Sequence, residues 1–324
     1  MPQADPRAAL PTLDGVGASC VGVGAGPWRT VLAFLSARFP AVPEADWRQR
    51  VAQGRVRAED GRAVTADEAC GAHRRLYYYR QIADEHPVPF EARVLFRDAH
   101  LVVADKPHFL PVTPGGRHLQ ETLLVRLKRA LGIETLSPLH RLDRETAGLV
   151  LLSVRPEDRA AYHRLFRDRA VDKEYEAVAA AHPALSGALV RRSRLVESPA
   201  SFMQMCEVPG PPNAVTFIER IGLCGDGLAH YRLRPETGQR HQLRVHMAAL
   251  GAPIVGDTLY PDLQPDLAPG ALPSYDRPLQ LLSRRIAFTD PVTGAPRAFQ
   301  SRLALSAVGI GHDVASDEGG ARDD

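Results

Sequence analysis

Residues 139 to 152 read Leu139-His140-Arg141-Leu142-Asp143-Arg144-Glu145-Thr146-Ala147-Gly148-Leu149-Val150-Leu151-Leu152, a charged turn that runs straight into an apolar stretch. A short continuous apolar run bounded by turn residues reads as a buried strand. The turn ahead of it sets one carboxylate, Asp143, among cationic and ionisable neighbours. Side chains on a loop held by a rigid strand are where catalytic groups tend to sit. Charge runs are more often solvated faces whose ions pair locally, so on the residues alone both readings stand.

Outward from this strand, Leu101 to Ala104 and Tyr175 to Ala180 read as further strands, with fewer helical stretches between them. Strands outnumber helices and do not alternate strictly with them. That predicts an α+β domain over residues 90–306, with a mixed, largely antiparallel sheet and flanking helices, rather than a doubly wound α/β sheet. His86-Pro87-Val88-Pro89 reads as a linker, because proline biases itself and its predecessor to extended backbone. Before it, Trp28, Val31, Leu32, Leu35 and Phe39 recur at helical spacing up to Pro40, and a second helix around Trp47 and Val51 stops at Gly54. Val56, the turn Glu59-Asp60-Gly61 and Leu76 to Tyr79 read as strands and turns, which gives a small α/β module over 28–85. Residues 1–27, rich in Gly, Ala and Pro, are expected to be mobile. A surface loop is expected over 261–276, and a disordered acidic tail over 311–324.

The chain has 324 residues, 44% hydrophobic and 24% charged, a composition that predicts a folded globular protein. Its formal net charge of +2 conceals an asymmetry: five acids against Arg322 make the last fourteen residues −4, which leaves +6 on the body. A mildly basic body suits an anionic partner such as RNA. Cys20, Cys70, Cys206 and Cys224 form no CxxC pair and no zinc-spaced cluster with histidine. His140, His241 and His246 lie in different local contexts, with no carboxylate to complete a set, so no metal site is expected. No apolar run approaches the ~18 residues of a membrane span. A cytoplasmic, monomeric protein with reduced thiols and no membrane contact is the expectation.

The segment "HRLDRETAG" resembles the HRLDxxTSG signature of the RluA-type pseudouridine synthases, and three further segments agree in order. Ala104 to Gly116 ("ADKPHFLPVTPGG") is similar to the family's Lys-Pro segment, and Asp172 to Ala179 ("DKEYEAVA") to its Lys-x-Tyr-x-Ala strand. Thr237 to Tyr260 ("TGQRHQLRVHMAALGAPIVGDTLY") is similar to its His-Gln-Leu-Arg-Val-His helix and the Gly-Asp-x-x-Tyr that follows. Ala147 stands where the family usually has Ser, and Gln239 where it has Arg or Lys. The N-terminal pattern loosely resembles a small RNA-binding domain of a ribosomal protein, with Arg48, Arg50, Arg55, Arg57, Arg74 and Arg75 as basic side chains.

The resemblance implies an RNA uridine isomerase acting on rRNA or tRNA, with Asp143 as the catalytic residue. It places Arg244 beside Asp143, where a guanidinium can hold a carboxylate in a two-point fork, and gives Tyr175 contact with the target base. Residue by residue, Leu243, Met247 and Leu250 mark the buried face of a helix and leave Arg244 off it. Alternation along 174–179 puts Tyr175, Ala177 and Ala179 on one face. The uridine must leave its stack to be reached, which costs a few kcal/mol. Arg141 is placed to enter the vacated space, with Arg144, Arg240 and His140 as further RNA contacts. The reaction needs no cofactor, since it has no redox change and no energy input. The alternative is a non-catalytic RNA-binding or ribosome-assembly protein with the same fold.

Overall fold

The computed structural model describes residues 10–82, 85–265 and 272–311; the acidic tail from 312, the first nine residues and the middle of the 261–276 loop lie outside them. The described residues form two compact units. One runs up to Pro87 and takes in Thr113–Glu134; the other comprises Val88–Val112 and the chain from Thr135 onward.

In the first unit, β1 (Ser19–Gly22), β2 (Val56–Arg57) and β3 (Arg75–Tyr78) form a three-stranded sheet in the order β1-β3-β2. β1 lies within the stretch expected to be mobile; four residues are too few to display a period. Helices α1 (Val31–Arg38) and α2 (Glu44–Ala52) cover the sheet and bury Val31, Phe34, Leu35 and Trp47. Thr30 caps α1 by accepting the Ala33 amide. Of the arginines expected to face RNA, Arg48 pairs with Glu44 and Arg50 stacks on Trp47. α3 (Leu123–Leu131), inside the span read as the second domain, packs with this unit through Val125 against Val16 and Leu119. Its entry is fixed by Glu85, whose carboxylate accepts the amides of Leu119, Gln120 and Glu121.

The second unit holds eleven strands: β4 (Arg93–Arg97), β5 (Leu101–Lys106), β6 (Ser137–Pro138), β7 (Ala147–Ser153), β8 (Asp172–Ala180), β9 (Leu189–Ser198), β10 (Ser201–Val208), β11 (Ala214–Gly225), β12 (Leu228–Pro235), β13 (Leu281–Thr289) and β14 (Pro296–Gln300). They form one sheet in the order β10-β9-β11-β12-β8-β13-β7-β5-β4, with β14 on β13 and β6 on β7. Every pairing is antiparallel except β7 with β13. This is the mixed, largely antiparallel α+β sheet that the sequence predicts. α4 (Arg159–Arg167) and α5 (Gln242–Ala249) flank it. Leu243 and Met247 of α5 pack on Ala177, Ala179, Tyr231 and Leu233. At ~1.5–3 kcal/mol for each fully buried large side chain, this face fixes α5 firmly to the sheet.

The parallel seam between β7 and β13 sets the position of the charged turn. Gly148 has φ +109 and sits so close to β13 that an added Cβ would lie 2.3 Å from the Ser283 carbonyl oxygen. Only glycine allows both that conformation and that approach. Gly148→Ala is therefore expected to cost about 2–4 kcal/mol in urea unfolding, because the strain and the overlap fall on backbone that cannot yield. A loss under about 0.5 kcal/mol would show that the seam adjusts freely.

Candidate active site

The turn after β6 places Asp143 with its side chain 27% exposed, facing a guanidinium that is 1% exposed. That guanidinium belongs to Arg244, in the first turn of α5. Its Nη1 lies 3.4 Å from Asp143 Oδ2 and 3.7 Å from Glu145 Oε2. The two-point fork expected for Asp143 goes instead to Asp257: Nε donates to Oδ2 at 2.8 Å and Nη2 to Oδ1 at 2.6 Å. The reason is local. Gly256, at φ +78 and packed against the Pro278 carbonyl, starts a tight turn in which Asp257 Oδ1 also accepts the amides of Leu259 and Tyr260. Its carboxylate is thus aimed at α5 before Arg244 meets it. Burial works against the Arg244 charge, but Asp257 first, then Asp143 and Glu145, more than compensate and raise its pKa. Sequence reasoning quoted Asp257 in its motif and gave it no role.

Beneath the turn, the buried Lys106 ammonium donates to the carbonyls of Pro107, Leu110 and Arg144, and so ties the Lys-Pro segment to the residue after Asp143. Burial pushes its pKa down to about 7, opposed by Glu145 and Asp143. Burial would raise Glu145, yet Arg144 and Arg244 hold it below its ordinary value. Tyr175 is half-buried on β8, opposite Ser283 of β13 and packed against the α5 cluster. Burial pushes its phenol up to about 12, with the Asp143 charge adding to the rise and Ser283 opposing it. At neutral pH it is a hydrogen-bond donor with an apolar face.

The residues expected to meet RNA divide. Arg141 is exposed and has no partner among the described residues, while Arg144 pairs with Glu145. Arg240 donates to the carbonyls of Phe202 and Met203 in the β9–β10 hairpin while its side chain stays exposed. His140 is half-buried and engaged within the fold. Its Nε2 accepts the Leu151 amide at 3.1 Å and its ring rests on Phe166, so it completes the β6–β7 ladder. Burial drives its pKa down to about 3. No group of three or more His, Cys, Asp or Glu suited to a metal ion occurs among the described residues.

With this geometry in view, comparison with known proteins is informative. The family model for RNA pseudouridylate synthase matches residues 100–249. An RNA pseudouridine synthase of Synechocystis is 31% identical over 75% of this chain and 81% of its own length. The dual-specificity RNA pseudouridine synthase RluA of Salmonella typhi is 32% identical over 64% of this chain and 91% of its own. The chain belongs to the RluA-type RNA pseudouridine synthases. It is an RNA uridine isomerase. Among solved structures, human RNA pseudouridylate synthase domain containing 4 aligns over 65% of this chain and 88% of its own, at 30% identity and TM-score 0.50. Human RNA pseudouridylate synthase domain containing 1, at 20% identity and TM-score 0.53 over 67% and 86%, shares the fold. A mitochondrial tRNA pseudouridine(32) synthase of yeast is 33% identical over 54% of this chain and 39% of its own. No helix among the described residues is long and apolar enough to cross a membrane.

Two measurements test the electrostatics of this RNA pseudouridine synthase. Asp257→Ala leaves the enclosed Arg244 without its fork and should cost about 3–5 kcal/mol, whereas Asp143→Asn removes a long, partly solvated contact and should cost under about 1 kcal/mol. Equal losses in denaturant melts would contradict the division of labour. His140 gives a pH test. Its folded-state pKa of about 3 lies below the ~6.5 of the unfolded chain, so its contribution is complete above pH ~6.5 and is lost as pH falls toward 3. His140→Asn should therefore show a shallower loss of stability between pH 6.5 and 4.5, whatever its stability at neutrality.

Proposed function

We propose that the protein converts uridines of tRNA or rRNA to pseudouridine, with Asp143 acting at the ribose, Arg244 orienting it and Tyr175 lying against the base. The observation that carries this reading is the setting of Asp143: one carboxylate, partly open to solvent, held through a single oxygen by an enclosed guanidinium, beside a phenol that stays protonated. The reaction breaks the bond from the uracil nitrogen to the ribose, turns the freed base and rejoins it through carbon five. Whether the carboxylate attacks the sugar or stabilises its cationic form, it must be ionised, and the positive charge of Arg244 favours that state.

Arg141 and Arg144 are the proposed RNA contacts, with Arg141 free to reach a phosphate or fill the space that the extruded uridine leaves. Arg240 serves through the hairpin it holds. That the yeast relative is named for a tRNA supports tRNA as one substrate class. The four cysteines are free, which fits a reducing, cytoplasmic compartment.

Asp143→Asn keeps the shape of the side chain and removes its charge. Pseudouridine formation on total tRNA and rRNA should fall below detection, while RNA affinity stays within about threefold. Turnover at the wild-type rate, with deamidation to Asp excluded by mass spectrometry, would remove Asp143 from the mechanism.

A further inference from the structure

His241 stands at the site, and the reading above gives it no part. It is the residue before α5, where Ser, Thr, Asp or Asn would ordinarily cap the helix, yet its side chain makes no capping bond. Its backbone lies in the left-handed region at φ 55, a conformation that glycine adopts freely and that side-chain-bearing residues avoid. Strain of this kind persists where the surroundings hold a residue in place.

The side chain shows what holds it. His241 Nδ1 lies 2.9 Å from the Tyr260 hydroxyl, and that same hydroxyl accepts the Met205 amide at 2.7 Å. A phenol has one proton to give, and with a lone pair already taken by Met205 the pairing that uses that proton is its donation to Nδ1. The neutral ring then carries its own proton on Nε2, which lies 3.7 Å from Asp143 Oδ1. The other carboxylate oxygen, Oδ2, is the one that faces Arg244 at 3.4 Å. Burial keeps the imidazole below its ordinary pKa against the pull of Asp143, and Arg244 and Arg240 help to keep it neutral.

We propose that His241 is a positioning residue for Asp143: Tyr260 fixes its tautomer so that Nε2–H addresses Oδ1 while Arg244 addresses Oδ2, and together they set the plane of the carboxylate. This rests on the assignment of Asp143 above. A carboxylate held at one oxygen can still rotate about its own axis; a donor at each oxygen removes that freedom, and reacting groups need such orientation. The long 3.7 Å separation is of the kind that tightens when substrate closes a site.

The test separates positioning from scaffolding. His241→Gly relieves the left-handed backbone but gives up a largely buried ring and its bond to Tyr260, two opposing effects, so its melting temperature should stay within a few degrees of the wild type. Its single-turnover rate at saturating RNA should fall about 10–100-fold, with RNA affinity within about threefold and partial recovery on adding imidazole. His241→Asn, which also tolerates the backbone, should lose rate without recovery. Tyr260→Phe should lose less, and the His241→Gly/Tyr260→Phe pair no more than His241→Gly alone, because both act through one contact. A His241→Gly rate within twofold of wild type, or a loss confined to affinity, would overturn the proposal. Nitrogen NMR of the ring tests it apart from activity: the proton must sit on Nε2 in the wild type, and a proton on Nδ1 would equally overturn it. Should the wild type form no pseudouridine, the assignment of Asp143 fails instead, and the NMR result still decides the tautomer.

Discussion

An almost fully enclosed guanidinium is the constraint around which the site is arranged. Transferring an unpaired ion of this kind into a low-dielectric interior costs ~20 kcal/mol in the idealised limit, so Arg244 can stay only where carboxylates meet it. Three do, on different sides. Asp257 takes Nε and Nη2 in a fork, which leaves Nη1 to face Asp143 and Glu145. The division has a chemical consequence. A fork on Asp143 would occupy both its oxygens and bury the group proposed to meet the substrate. With the fork on Asp257, the charge of Arg244 is fixed in direction, and Asp143 receives its field through one long contact while keeping solvent access.

Much of the fold could be read from the sequence, because its strands announce themselves by composition. Leu149 to Leu152 and Leu101 to Ala104 are continuous apolar runs, and both form buried strands, β7 and β5, with a neighbour on each side. The alternation at 174–179 divided the faces of β8 as observed: Ala177 and Ala179 pack beneath α5, and Val178 packs on the other side with Leu282. What could not be read is what long-range packing decides. β1 is four residues long and exists because Arg75 to Tyr78 offers it a ladder. α3 joins the first unit because Glu85 supplies a carboxylate to three amides far away in sequence, and nothing local in Leu119-Gln120-Glu121 signals that partner.

The site shows the same boundary. Asp143 stood out because a carboxylate among cations ahead of a buried strand is locally unusual. The partner of Arg244 did not, although the turn Gly256-Asp257-Thr258-Leu259-Tyr260 was in view. A glycine followed by an aspartate predicts a side chain that bonds its own following amides, and Asp257 does so. It does not predict that the same carboxylate reaches thirteen residues back to α5. His140 shows the boundary in another way. It lies in a charged turn between Leu139 and Arg141, but past the end of the β6–β7 ladder the Leu151 amide needs an acceptor, and the imidazole supplies it. A buried neutral histidine and an exposed cationic one are indistinguishable until the strand pairing is known.

These assignments bear on how the protein can recognise RNA. Around Asp143 the enclosed cations are already committed: Lys106 to three carbonyls and Arg244 to three carboxylates. Committed groups are rigid, and rigidity is what a positioned carboxylate requires, but they have little left to offer a substrate. Arg141, two residues from Asp143 and without a partner among the described residues, is in the opposite condition. A free guanidinium on an exposed turn gives up rotamer entropy only when a partner arrives, so in the proposed role its contribution belongs to RNA binding. On this division, substitutions in the committed set should act chiefly on the rate at saturating RNA, and those at Arg141 on the concentration of RNA needed to reach it.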